Sequence, residues 1–174
     1  MTSLPGSEDE LLLESQLSFT LAAVSRAVIS AYKPVLRALN LTHPQYLVML
    51  TLWEASPRSV SEISEALLLG PATVSPLLKR LEASGYVTRQ RVQGNERSLA
   101  VGLTPEGAAL RERARIVPAT MLGKLGLNRE EAEELHAYLT RLLRSAKTDD
   151  AGSDYVPARQ EIASSANTST TTGC

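Results

Sequence analysis

Cysteine is nearly missing: the 174-residue chain has one, Cys174, at its last position. That excludes an internal disulfide and leaves no thiolate cluster for a metal. The only histidines, His43 and His136, lie far apart in sequence, so no metal site is expected and no cofactor is called for. Aromatic residues make up 4% of the chain, which leaves the core to Leu, Val, Ile and Ala. No uninterrupted apolar run reaches the roughly 18 residues a membrane span needs. The opening MTSLPGSEDE is acidic and polar, unlike a secretory leader, so a cytoplasmic protein without membrane contact is expected. A basic excess is absent too: the net charge is −1, so any contact with nucleic acid has to be local. There is no phosphate-binding glycine loop and no nucleophile–base pair at recognisable spacing, so no catalytic residues and no enzyme are expected.

What is present is helical patterning and one basic stretch. Leu17, Leu21, Val24 and Val28 recur at steps of three and four within a long first helix, about Leu11 to Leu39, with a bend expected at Pro34. Thr42-x-x-Gln45, with Pro44, opens a second helix that runs to about Glu54. Ser59-x-x-Glu62 opens a short third one, ending near Leu68, and Gly70-Pro71 then separates it from a fourth. In that fourth helix Val74, Leu77, Leu78 and Leu81 form an inner stripe, while Thr73, Pro76, Lys79 and Arg80 fall on the other side. Gly85 stops it, and YVTRQRVQGNERSLAVGLT reads as a hairpin around Gln-Gly-Asn. Thr104-Pro105-Glu106 starts a helix carrying Leu110, Ala114, Val117 and Met121, with a bend expected at Pro118. Asn128-x-x-Glu131 starts a last helix with Leu135, Leu139, Leu142 and Leu143. Residues 147–174 are poor in large apolar side chains and are expected to form a disordered tail.

Two short helices, a tight turn and a hairpin, in that order, predict a mainly α fold with a small β-wing, the winged helix-turn-helix, over 42–104. Between Pro71 and Arg97 the cations Lys79, Arg80, Arg89, Arg91 and Arg97 face only Glu82 and Glu96, a local net charge of +3. A helix fits the major groove, where Lys79 and Arg80 can reach phosphates or guanine edges and Thr73 and Ser75 can donate near the helix start. Arg97, near the hairpin tip, suits the narrow minor groove, whose negative potential attracts a guanidinium. The bland alternative is a solvated basic face on an ordinary helical domain, or a winged helix that docks a protein. An interior proline at Pro76 weighs against a regular recognition helix.

The segments LSFTLAAVSRAVISAYKPVLRALNLTHPQYLVMLTLWE, PATVSPLLKRLEASGYVTRQR, NERSLAVGLTPEG and IVPATMLG together resemble the MarR family of transcription regulators, and within it the organic-hydroperoxide-sensing OhrR subgroup. The family usually carries a proline where Pro76 stands. The resemblance implies a repressor that works as a homodimer, with its first and last helices (8–39 and 105–146) intertwined between subunits and a near-palindromic operator as the DNA partner. It implies Asp-x-Arg at the wing tip, where this chain has Asn95-Glu96-Arg97.

Hydroperoxide sensing in that subgroup uses a cysteine before a phenylalanine and two tyrosines that hydrogen-bond its thiolate. Here Ser18 precedes Phe19, Tyr32 matches one tyrosine position, and Ala22 stands at the other. A serine hydroxyl cannot form a sulfenic acid or a disulfide. Three readings stay open: an engineered cysteine replacement, a homologue that answers to a bound small molecule instead of an oxidant, and a constitutive repressor. Tyr32, Tyr46, Phe19 and Trp53 are either the lining of a ligand cavity or plain core aromatics, and His43 and His136 read as helix-surface residues.

Overall fold

The computed structural model describes residues 12–92 and 95–149, which divide into two compact units, one up to Asn128 and one from Arg129 onward. In the first, a 3-10 turn (Leu13–Ser15) leads into α1 (Leu17–Arg37), followed by α2 (His43–Glu54), β1 (Arg58–Ser59), α3 (Val60–Leu67), α4 (Pro71–Ala83), β2 (Val87–Val92), β3 (Asn95–Leu103), α5 (Pro105–Ala114) and α6 (Val117–Leu125). The described part of the second is α7 (Arg129–Asp149). The expected tail therefore begins with three residues of helix, and 150–174 lie outside the described residues.

The capping signals act as the sequence implies. The Gln45 side-chain oxygen accepts from Thr42 N–H at 2.8 Å and from Thr42 Oγ1–H at 2.9 Å. Ser59 Oγ accepts from Glu62 N–H at 3.2 Å, and Glu62 Oε2 accepts from Ser59 N–H at 2.6 Å, which satisfies two amides that the helix leaves unpaired. Three expectations need correction. The first helix begins at Leu17 and is preceded by a 3-10 turn. Pro118 does not bend one helix; it sits in the first turn of α6, and α5 ends at Ala114. A proline ring at 118 collides with the carbonyl of residue 114, so the chain restarts its helix there. Finally β1, too short to pattern, closes the sheet, whose order is β1-β3-β2 and whose pairings are all antiparallel.

The core is one aliphatic cluster in which Leu36, Val48, Met49, Leu52, Ile63, Val74, Leu78, Leu81, Val87 and Val101 are buried. It draws on the end of α1, on α2 to α4 and on both wing strands, so the recognition helix and the root of the hairpin share it. Gly107 makes the junction with α5 possible: a Cβ there would lie 1.9 Å from the carbonyl oxygen of Tyr86. Trp53 Nε1 donates to Gly107 O at 2.8 Å, and Thr104 Oγ1 donates to Gly85 O at 2.6 Å. These bonds hold the start of α5 against the turn between α4 and β2, where Gly85 adopts φ +76°.

Candidate nucleic-acid interface

α4 is two-sided. Val74, Leu78 and Leu81 are buried against the neighbouring elements α2, α3 and β2, whereas Thr73, Pro76, Lys79 and Arg80 are exposed. The helix runs through Pro76 without interruption. Ser75 is half-buried, and its hydroxyl donates back to Pro71 O at 2.8 Å, which ties its proton into the helix.

Of the wing cations, Arg89 is half-buried, and its Nε donates to Glu82 Oε2 at 2.8 Å while its Nη2 reaches the same oxygen. Those bonds hold the Glu82 carboxyl below the usual carboxylate range. Arg91 lies on β2, and Asn95 and Arg97 on β3, by their backbones; their side chains, with Gln93 and Gly94 at the expected turn, lie outside the described residues.

The sensing candidates do not converge within one chain. Ser18, Phe19 and Ala22 are exposed near the start of α1, and Phe19 lines an open recess of about 330 Å³ with Leu12, Leu13 and Glu14. Tyr32 is fourteen residues further along the same helix, a rise of roughly 21 Å. It belongs to an aromatic row instead. Its ring lies 4.9 Å edge-on from His43 and 6.1 Å from Tyr46, and Tyr46 lies 6.3 Å from Trp53. Tyr46 is buried in the core, and burial raises the pKa of both tyrosines. His43 is thus no surface residue: it is half-buried at the start of α2, and burial lowers its pKa. His136, on α7, is exposed.

Sequence reasoning overlooked two residues that fasten the end of α1. Arg113, from α5, donates to Ala38 O, and Tyr86 Oη donates to Leu39 O at 3.3 Å. They stand 75 and 47 residues from their partners, so no local pattern could reveal them. Among the described residues no group of three or more acidic, histidine or cysteine side chains could hold a metal, and no helix is long and apolar enough to cross a membrane.

Comparison with known proteins agrees with this arrangement. Residues 41–99, from the start of α2 to the middle of β3, match the MarR family. The chain is 42% identical over 137 residues to an organic hydroperoxide resistance transcriptional regulator of Bacillus subtilis, covering 79% of this chain and 93% of that one. AbfR of Staphylococcus epidermidis superposes with a TM-score of 0.67 at 34% identity, over 81% of this chain and 97% of that one. A structure of reduced AbfR bound to DNA also gives a TM-score of 0.67, at 33% identity over 80% and 97% of the two chains. With about four-fifths of this chain and nearly all of each relative covered, the chain belongs to the MarR family and is a winged-helix transcription regulator of that type, not an enzyme.

Proposed function

We propose that this chain acts in the cytoplasm as a homodimeric repressor, setting α4 of each copy in the major groove of a near-palindromic operator and the β2–β3 wing in the flanking minor groove. The two-sidedness of α4 carries the reading. Its inner face is locked into the core, and its outer face offers Lys79 and Arg80 to phosphates and base edges, with Thr73 near the helix start. A protein-docking helix would expose an apolar patch, and here that surface carries two cations. A twofold pair of such helices reads half-sites about 34–36 Å apart. Support for the dimer comes from apolar side chains left exposed at Leu17 and Val24 of α1 and, separately, at Leu135, Leu139, Leu142 and Leu143 of α7.

The regulated gene, by likeness to the hydroperoxide-resistance regulator, serves oxidative-stress defence or detoxification. The trigger differs. Ser18 offers no sulfur to oxidise, and a bound small molecule takes the place of thiol chemistry as inducer. Fluorescence anisotropy on the DNA upstream of the gene tests both statements. The parent chain should bind with steep salt dependence, because phosphate contacts release counterions. Lys79→Ala with Arg80→Ala should bind more weakly and with a shallower salt slope. An organic hydroperoxide should leave the complex intact. Binding indifferent to salt would sink the operator reading; release by the hydroperoxide would sink the inducer reading and turn attention to Cys174.

A further inference from the structure

Arg89 differs from the cations of α4 in being already engaged. Position 89 shares the inner face of β2 with Val87, which is buried, and pairs across the ladder with Val101, which has no exposed surface. An arginine on that face would be a half-desolvated charge without a partner. Glu82 supplies the partner, and it does so from the recognition helix, three residues beyond Lys79 and two beyond Arg80. The ion pairs Arg115–Glu112 and Arg129–Glu133 join residues three or four apart within a helix or at its end, and Arg58–Glu54 ties the end of α2 to β1 just four residues on. Arg89–Glu82 spans seven residues and joins two separate elements, the two that are to read DNA. The contact is also doubled: two nitrogens of one planar guanidinium donate to the same carboxylate oxygen.

We propose that Glu82 and Arg89 are positioning residues for DNA recognition, fixing the inclination of the wing against α4 so that Arg97 and the Lys79–Arg80 face meet one operator together. The inference rests on the operator-binding reading and deepens it. Without the pair, the hairpin loses a tie to α4 beyond its root at Val87, and each binding event has to order it afresh, at a cost in affinity. Arg89 itself then contacts Glu82 and not the phosphate backbone.

Hydrogen exchange on the full chain without DNA is the first arm of the test. Glu82→Gln should speed exchange of the β2 and β3 amides by about tenfold while the α2 amides keep their protection. The exchanged pair, Glu82→Arg with Arg89→Glu, should restore the slow rate. Unchanged wing exchange in Glu82→Gln overturns the proposal. The second arm is a double-mutant cycle on operator DNA. Arg97→Ala should weaken binding several-fold in the parent and distinctly less in Glu82→Gln, where the wing is no longer held in place. Equal losses in the two backgrounds overturn the positioning role while leaving operator binding intact. A parent chain that binds no operator overturns both the regulator reading and the role of the pair in recognition.

Discussion

Along α4 the apolar stripe Val74, Leu78 and Leu81 is buried by α2, α3 and β2 of the same chain. Along the first half of α1 a stripe of the same period is covered only in part: Leu21 and Val28 are half-buried, nothing between Leu17 and Ser30 is fully buried, and Leu17 and Val24 are 63% and 51% exposed. The segment meets the core further on, where Ala31, Tyr32 and Val35 pack against it and Leu36, Leu39 and Leu41 are buried beside Arg113 and Tyr86. The contrast separates two kinds of helix. One is finished by intrachain packing and frees its polar face for a ligand; the other carries an exposed apolar face, which in the proposed homodimer a second copy completes.

The sharpest way to break this contrast is to truncate one side chain from each stripe. Leu78→Ala should cost about 3 kcal/mol in urea unfolding, since it removes buried methyls and leaves a cavity. That loss should not depend on protein concentration. Leu17→Ala should leave the intrachain core intact and instead raise the concentration at which the dimer dissociates, as seen by analytical ultracentrifugation. Equal, concentration-independent losses for the two would mean that α1 is not completed by a second copy.

A slightly smaller loss is expected at the joint between the wing and α5. Gly107→Ala places a methyl 1.9 Å from Tyr86 O, and backbone has to move to admit it. The expected cost is about 2 kcal/mol by the same unfolding measurement, with the Trp53 fluorescence changed because its indole donates to Gly107 O. Loss of the α3 cap comes next: Ser59→Ala should cost about 1 kcal/mol, with Ser59→Thr close to the parent. A neutral Ser59→Ala would mean that Glu62 alone suffices at that end.

The same contrast explains what the sequence made legible. Helix starts at Thr42, Ser59 and Thr104 were readable because capping is a local, three-residue device. The inner and outer faces of α4 were readable because helical periodicity is local too. What escaped was non-local or too short to carry a period. β1 has two residues, Arg89 is claimed by a carboxylate on another element, and Arg113 caps a helix 75 residues away. The sensing residues suffered most. Ser18 and Tyr32 align with one site by resemblance, yet a helix rise separates them in the chain, and the aromatic row that Tyr32 does join includes His43, whose position at a helix start gave no hint of burial.

His43 gives the finest of these tests. Burial lowers its pKa below 6.5, and its place in the first turn of α2 sets any imidazolium against the positive end of the helix dipole. Well above 6.5 the ring is neutral in the folded and unfolded chains alike. As pH falls through 6.5 towards the folded value, the unfolded chain takes up a proton that the folded one refuses, so stability drops with acidification. Glu62 and Glu82 act in a lower window, because their carboxyls are held below 4.5 and their contribution fades only as pH falls from there. His43→Phe keeps an aromatic ring against Tyr32 and removes the titration. It should flatten the stability curve just below pH 6.5 by less than the Ser59 cap is worth, and leave the acid limb below 4.5 unchanged. An unaltered slope below 6.5 would assign that loss to other groups and return His43 to the surface class, joining the exposed His136 rather than the row of Tyr32, Tyr46 and Trp53.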